Sequence, residues 1–393
     1  MKGFRARLDY ILKHNTFINK LFKFTAGSCI RLIGLFVPVK NNAVLFSGHG
    51  RKYNDSPRAI YEYMMGKKEF ENFTFYWAVE NPEKTVIPGR CIKVKPDTFK
   101  YFVTALKCKY WITCVNIERS LKFKKKKTLY LNTWHGIPIK TVGNEASNRK
   151  DYDFSYINFF CISGDFETDI YYRAFNLKES QIIKTGLPRN DNLYNVSEEE
   201  IKSIKRKIGL PEDKKIILYA PTWRDSKDGG KSYQIKPPID IDYWKKELKD
   251  EYILLFRTHP YTSKLIGVNF DDFVRDYINY PDVNDLLKVS DILISDYSAV
   301  IFDYSILEKP IISFAYDYEE YGKERGFSID IKKEMPGGIC ETENQVIDRI
   351  KNMDFNEEVK MVKVFKNKYC KYGGSAIVDC VKTLFDFYKD DII

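Results

Sequence analysis

From Ala43 onward, short runs rich in β-branched and aromatic residues alternate with runs of helical periodicity. That alternation restricts the chain to βα units built around parallel sheets. The spacing predicts strands near 43–47, 73–79, 109–113, 128–133, 159–162 and 181–185, with helices near 57–66, 97–107 and 165–174. A polar stretch from Asn195 to Glu200 opens a charged helix that ends at Gly209-Leu210-Pro211, a linker by its turn residues. The alternation then resumes, with strands near 215–220, 252–257, 291–294 and 310–315 and helices near 241–249, 282–288, 298–307 and 342–352. Helices over 355–366 and 374–388 flank a turn at Tyr372-Gly373-Gly374. At 393 residues the chain exceeds one core of usual size, so two doubly wound α/β halves facing a cleft are expected. The divisions fall at 1–40, 41–195, 196–373 and 374–393.

A formal charge of +10 points to a polyanionic partner: nucleic acid, anionic lipid or a phosphate-bearing substrate. Residues 1–40 carry Lys2, Arg5, Arg7, Lys13, Lys20, Lys23, Arg31 and Lys40 against the single acid Asp9, interleaved with Leu8, Ile11, Phe17, Leu21, Phe22, Leu32 and Phe36. This is the make-up of amphipathic helices lying on an anionic membrane surface. The alternative is a helical pair packed on the protein's own core. The longest apolar stretch, 26–39, contains Arg31 and falls short of the roughly 20 residues of a spanning helix, and no signal peptide is read. Lys124, Lys125, Lys126 and Lys127 form a solvated loop or a second contact for anionic lipid. Eight cysteines without a Cys-x-x-Cys pair read as buried, reduced thiols of a cytosolic protein.

Of four histidines, His135 and His259 sit at strand ends beside glycine or proline, where an α/β sheet opens onto its ligand crevice. Either can take a proton from a hydroxyl or bond a phosphate, and either can equally be a hydrogen-bonded structural residue. Segment 290–317 runs strand, turn, helix, strand. Its turn delivers Ser295, Asp296 and Ser298 to a helix starting at Ala299, which serves as a phosphate site or as an ordinary turn capped by Ser298. Pro221, Thr222 and Arg224 end a buried strand with groups suited to phosphate oxygens. Gly48 and His49 follow the first strand, and Arg189, Asn190 and Asp191 close the first half near the cleft. The Asp271-Asp272 pair reads as a helix start or surface acids and not as metal ligands. No P-loop, Gly-x-Gly-x-x-Gly, zinc spacing or Gly-x-Ser-x-Gly elbow occurs, which removes support for kinase, simple dehydrogenase and esterase readings.

The ordered set NTWHGIPIK at 132–140, TGLPRND at 185–191, YAPTWRD at 219–225, RTHP at 257–260 and SDYSAVIFDYSILEKPIISFAYD at 295–317 resembles the CDP-glycerol glycerophosphotransferase family. KYNDSP at 52–57 extends the resemblance upstream. Ile137, where the family often has Thr, and His49, where a second glycine is more usual, are departures. The resemblance implies a GT-B-type fold with an acceptor-binding N-terminal half, a CDP-polyol-binding C-terminal half and a last helix crossing back. The implied reaction moves glycerol phosphate from CDP-glycerol, or ribitol phosphate from CDP-ribitol, onto a lipid-linked disaccharide or polyol-phosphate acceptor of the teichoic acid or capsular type. It releases CMP at the cytoplasmic face of the membrane and needs no cofactor or metal.

In that scheme His135 and His259 are catalytic. Pro221, Thr222, Arg224, Arg257, Ser295, Asp296, Ser298, Ala299, Asp303 and Glu308 bind the donor. Gly48, His49, Trp134, Gly136, Lys140, Arg189, Asn190 and Asp191 line the acceptor side. The competing readings are a GT-B enzyme using a nucleotide sugar, a basic nucleic-acid binder and a silent membrane scaffold. No nucleic-acid-binding signature is present, so no nucleic-acid partner is expected; homo-oligomerisation is left open.

Overall fold

The computed structural model describes residues 15–146, 150–222, 234–235, 238–258, 264–265 and 268–385. The first lobe is built on seven strands: β1 (Lys40–Ser47), β2 (Thr74–Ala78), β3 (Ile92–Val94), β4 (Cys108–Thr113), β5 (Leu129–Asn132), β6 (Phe159–Cys161) and β7 (Ile182–Ile183). They lie in the order β3-β2-β1-β4-β5-β6-β7, and each neighbouring pair runs parallel. Central strands such as β1 and β4 are buried along most of their length, which is why they read as near-continuous apolar runs.

The second lobe is built on β8 (Lys215–Tyr219), β10 (Tyr252–Phe256), β12 (Val274–Asp276), β13 (Ile292–Ser295), β14 (Ile311–Phe314) and β15 (Ile339–Cys340), with the short pair β9 (Gln234–Ile235) and β11 (Lys264–Leu265) beside it. Its order, β12-β10-β8-β13-β14-β15, again steps outward from the first strand in both directions. Both sheets therefore have a topological switch point, between β1 and β4 and between β8 and β13. Ligands of open α/β sheets bind at such points, outside the carboxyl ends of the strands.

The doubly wound α/β expectation is met in both halves. Strands β3, β12 and β15 were not foreseen, because runs of two or three residues are too short to show a period of two. The helices Tyr318–Arg325 and Ile331–Glu334 were also missed; the first buries only Tyr321. Asp271 precedes a strand and not a helix, and its carboxylate accepts from the Phe273 and Val274 amides. All eight cysteines are free, but Cys29 is exposed and Cys91 partly so, which corrects the expectation that every one is buried.

The helix Ala376–Leu384 packs against the first lobe, where Cys380, Val381, Leu384 and Phe385 join Val44, Phe46, Ile112 and Leu131 in one core. At about 2 kcal/mol for each large apolar side chain removed from water, this short helix is anchored by more than its backbone could supply. The helix Phe355–Tyr369 instead packs on the second lobe, with Phe365 stacked on Phe302.

At the amino end, the helix Thr16–Phe36 presents two faces. Ala26, Ile30, Ile33 and Val37 dock on the first-lobe core. At 100° per residue, Phe17, Leu21, Phe24, Leu32 and Leu35 fall on the opposite side, and all five are exposed. No described helix is long and apolar enough to cross a membrane.

Candidate active site

The carboxyl ends of the two sheets face each other across a cleft that holds two adjoining chambers, of about 470 and about 420 Å³. His135, Arg257, Val283, Ser298, Ala299 and Val300 line both. His135 stands three residues beyond β5, on a loop forced into position by local hydrogen bonds. Asn132 Oδ1 accepts from the Trp134 amide at 2.9 Å, and Asn132 Nδ2 donates to the Val115 carbonyl at 2.8 Å. Trp134 is held at φ +54°, an uncommon conformation for a bulky residue and of the kind found where a site requires it.

The His135 ring is 4.1 Å, centroid to centroid, from Trp134 and 4.8 Å from His49. Its Nδ1 lies 2.7 Å from the Cys114 carbonyl, the residue that follows β4. A carbonyl can only accept, so Nδ1 carries the proton and Nε2 keeps its lone pair. Burial, reinforced by the neighbouring His49, lowers the His135 pKa to about 4, so the ring is neutral near pH 7. Burial lowers His49 as well.

Gly136 brings the lobes together. A Cβ placed there would lie 2.8 Å from the Ala299 Cβ across the cleft, and its φ is +152°. The loop that follows enters the second lobe's core through Ile137 and Ile139. It is tied there by hydrogen bonds from the Ser328 amide to the Ile139 carbonyl at 3.0 Å and from Ser328 Oγ to the Lys140 carbonyl at 3.0 Å. Lys140 lines the larger chamber with His49, Trp134, Pro221, Thr222 and Thr258. Arg257 borders both chambers; its Nη1 donates to the Tyr277 carbonyl at 2.8 Å, and burial lowers its pKa.

Arg189 is the second link between lobes. It is 14% exposed; its Nη1 reaches both Asp55 oxygens at 3.1 Å, and its Nη2 reaches Asp303 of the other lobe at 2.9 Å. Burial works against the Arg189 cation, yet Asp303 and Asp55 outweigh it and push its pKa up. Burial likewise disfavours ionised Asp55, but Arg189 and the Ser56 amide hold its carboxyl below the usual range. Asn190 is buried and donates to Asp303 at 2.6 Å, outside either chamber's lining.

Several expected site residues have other duties. Asp191 accepts from the Ala376 and Ile377 amides, capping the last helix and facing neither chamber. Glu308 pairs with Lys363 and Lys366 of the helix Phe355–Tyr369, away from the cleft. Ser295 Oγ donates to the Ala220 carbonyl at 2.7 Å, and Asp296 Oδ1 accepts from the Thr222 and Tyr297 amides. These two residues hold Ala220 and Thr222, which line the larger chamber, in place. Gly48 sits under the loop that presents His49, where a Cβ would meet the Lys52 carbonyl oxygen at 2.3 Å.

Ser298 does not occupy the cap position, which is Ala299; its Oγ and carbonyl accept from the Val300 and Ile301 amides, and the helix Val300–Ser305 is only six residues long. The dipole expected to hold phosphate is therefore short; on the side of the larger chamber Arg257 and Lys140 share the lining with it. His259 and Arg224 lie outside the described residues.

Asp55, Arg58, Asp282 and Asn284 line the smaller chamber without having been singled out. KYNDSP pointed to Asp55, but nothing in the sequence marks the other three or the Cys114 carbonyl, since any residue supplies a carbonyl.

The sequence pattern of the CDP-glycerol:poly(glycerophosphate) glycerophosphotransferase family matches residues 30–381. Over 391 residues the chain is 34% identical to a teichoic acid glycerol-phosphate transferase of Staphylococcus aureus, an alignment spanning 94% of this chain and 98% of that one. It is 33% identical over 409 residues to a teichoic acid poly(glycerol phosphate) polymerase of Bacillus subtilis, covering 98% of this chain and 54% of the polymerase. The chain thus spans about half the length of that relative. A solved structure of a variant of the wall teichoic acid polymerase TagF, soaked with CDPG, superposes with a TM-score of 0.82 at 30% identity, covering 100% of this chain and 99% of that one. The match runs through both lobes and both described walls of the cleft, and this chain belongs to the CDP-glycerol:poly(glycerophosphate) glycerophosphotransferase family.

Proposed function

We propose that the chain transfers glycerol phosphate from CDP-glycerol to the hydroxyl end of a membrane-linked teichoic acid acceptor, with His135 as the general base. The observation that carries this is the His135 ring, neutral, anchored through Nδ1 to the Cys114 carbonyl and bordering both chambers. Nε2 takes the acceptor's hydroxyl proton as that oxygen bonds to the β-phosphorus. The bond from the β-phosphorus to the bridging oxygen breaks, and the electron pair leaves with CMP.

Residues 196–373 hold the CDP-polyol and residues 41–195 the acceptor. Lys140 and Arg257 stabilise the charge that develops on the phosphates, and the resemblance adds His259 and Arg224 to that task. The exposed stripe Phe17, Leu21, Phe24, Leu32 and Leu35, opposite the docked face of its helix, supports peripheral attachment of residues 1–40 to the cytoplasmic leaflet. An acceptor on a lipid carrier would then be presented to the cleft from that surface.

Incubation with CDP-glycerol, CDP-ribitol or a UDP-sugar and a lipid-linked acceptor analogue tests the reading, with product mass as readout. CMP release and glycerol phosphate addition are expected with CDP-glycerol, and His135→Ala should abolish both while donor binding persists. Full turnover by His135→Ala would remove that residue as the base.

A further inference from the structure

The two chambers differ in charge. The described lining of the larger one includes His49, His135, Lys140 and Arg257 and no carboxylate. The smaller one has four carboxylates, Asp55, Glu62, Asp282 and Asp303, against Arg58, Arg189 and Arg257. Two of the three cations are already matched within the wall: Arg58 Nε meets Glu62 at 2.9 Å and Arg58 Nη1 meets Asp282 of the other lobe at 3.4 Å, while Arg189 joins Asp55 to Asp303; Arg257 is shared with the larger chamber. A phosphate entering here finds Arg58 and Arg189 occupied and four carboxylates that repel it. Hydroxyls find carboxylate oxygens to donate to and guanidinium N–H groups to accept from, all held in place by the ion pairs.

From this asymmetry we infer that the smaller chamber is the acceptor subsite and that it takes an uncharged, hydroxyl-rich end group, a terminal polyol, while excluding a terminal phosphate. The inference rests on the transferase reading. An in-line displacement places the attacking and leaving oxygens on opposite sides of the phosphorus. With the pyrophosphate in the larger chamber and His135 at the junction, the attacking hydroxyl arrives from the other side, which is the smaller chamber. The subsite thereby selects the correct end of the polymer: a chain ending in a phosphomonoester has no hydroxyl there to extend and is rejected by charge.

The test uses the full-length protein with CDP-glycerol and a lipid-linked acceptor. Glu62→Gln and Asp282→Asn remove charge from half-exposed positions while keeping shape. Each should raise the acceptor KM about tenfold, the cost of one good hydrogen bond, and move the CDP-glycerol KM much less. Short glycerol phosphate oligomers ending in free glycerol should compete with the acceptor. The same oligomers ending in phosphate should compete at least about tenfold more weakly, and the double variant should narrow that gap. A rise confined to the CDP-glycerol KM would assign the chamber to the donor's glycerol and overturn the inference, as would equal inhibition by both oligomers. Failure of the wild-type protein to release CMP from CDP-glycerol would instead sink the transferase reading beneath it.

Discussion

Replacing Gly136 with alanine asks how far catalysis depends on the two lobes touching beside the base. The added Cβ would lie 2.8 Å from that of Ala299, whereas carbon atoms rest about 3.5–4.0 Å apart, so something must yield by about 1 Å. Both partners belong to the walls around His135, and neither offers a long side chain that could swing aside. Displacing catalytic groups by about 1 Å costs on the order of a hundredfold in turnover. The φ of +152° adds a separate strain of about 1–3 kcal/mol, which appears in stability whether or not the lobes part. The assay is CMP release at saturating CDP-glycerol alongside thermal unfolding of Gly136→Ala, Ala299→Gly and the double variant. The double variant removes the clash but not the strain, so it should regain most of the turnover while keeping the lower melting temperature. Wild-type turnover by Gly136→Ala, or no recovery in the double variant, would refute the idea that this contact sets the cleft's geometry.

With its pKa near 4, His135 is available as a base above that value and protonated below it, so the acid limb of kcat/KM should fall close to pH 4 and not near 6.5. His49→Gln should move the limb toward 6.5, because His49 is the second cause of the depression; an unmoved profile measured from pH 4 to 8 would count against the assignment. Arg189→Met leaves Asp55 and Asp303 without their shared cation and should cost about 3–5 kcal/mol in urea unfolding; a loss below about 1 kcal/mol would mean that the carboxylates find other partners. Glu118 is fully buried, and burial raises its pKa to about 7. The folded state therefore holds that proton between about 4.5 and 7, and its stabilising effect is lost as pH rises through 7. Glu118→Gln should unfold at a higher temperature than wild type at pH 8, by up to about 3 kcal/mol of stability, with the difference vanishing at pH 4.5; parallel curves at both pH values would contradict this.

The βα alternation, the division into two halves and the position of His135 past a strand end were legible in the chain, since strand periodicity and punctuation by glycine and proline are local properties. The ordered motifs also carried the family. What local pattern could not carry was the duty of each polar residue. Asp191 and Glu308 stand inside those motifs, yet one caps the last helix and the other anchors the helix Phe355–Tyr369. Asp55 and Asp303, 248 positions apart, become neighbours only because Arg189 sits between them.

The amino-acid order by itself determined two open parallel sheets and the family. Only the folded chain decided which imidazole nitrogen is free, which charges pair and which chamber has no carboxylate among the described residues of its lining. Those properties depend on distances across the cleft. Hydrogen bonds need contact at about 3 Å and Coulombic energy falls with distance through space, and separation along the chain does not report separation in space.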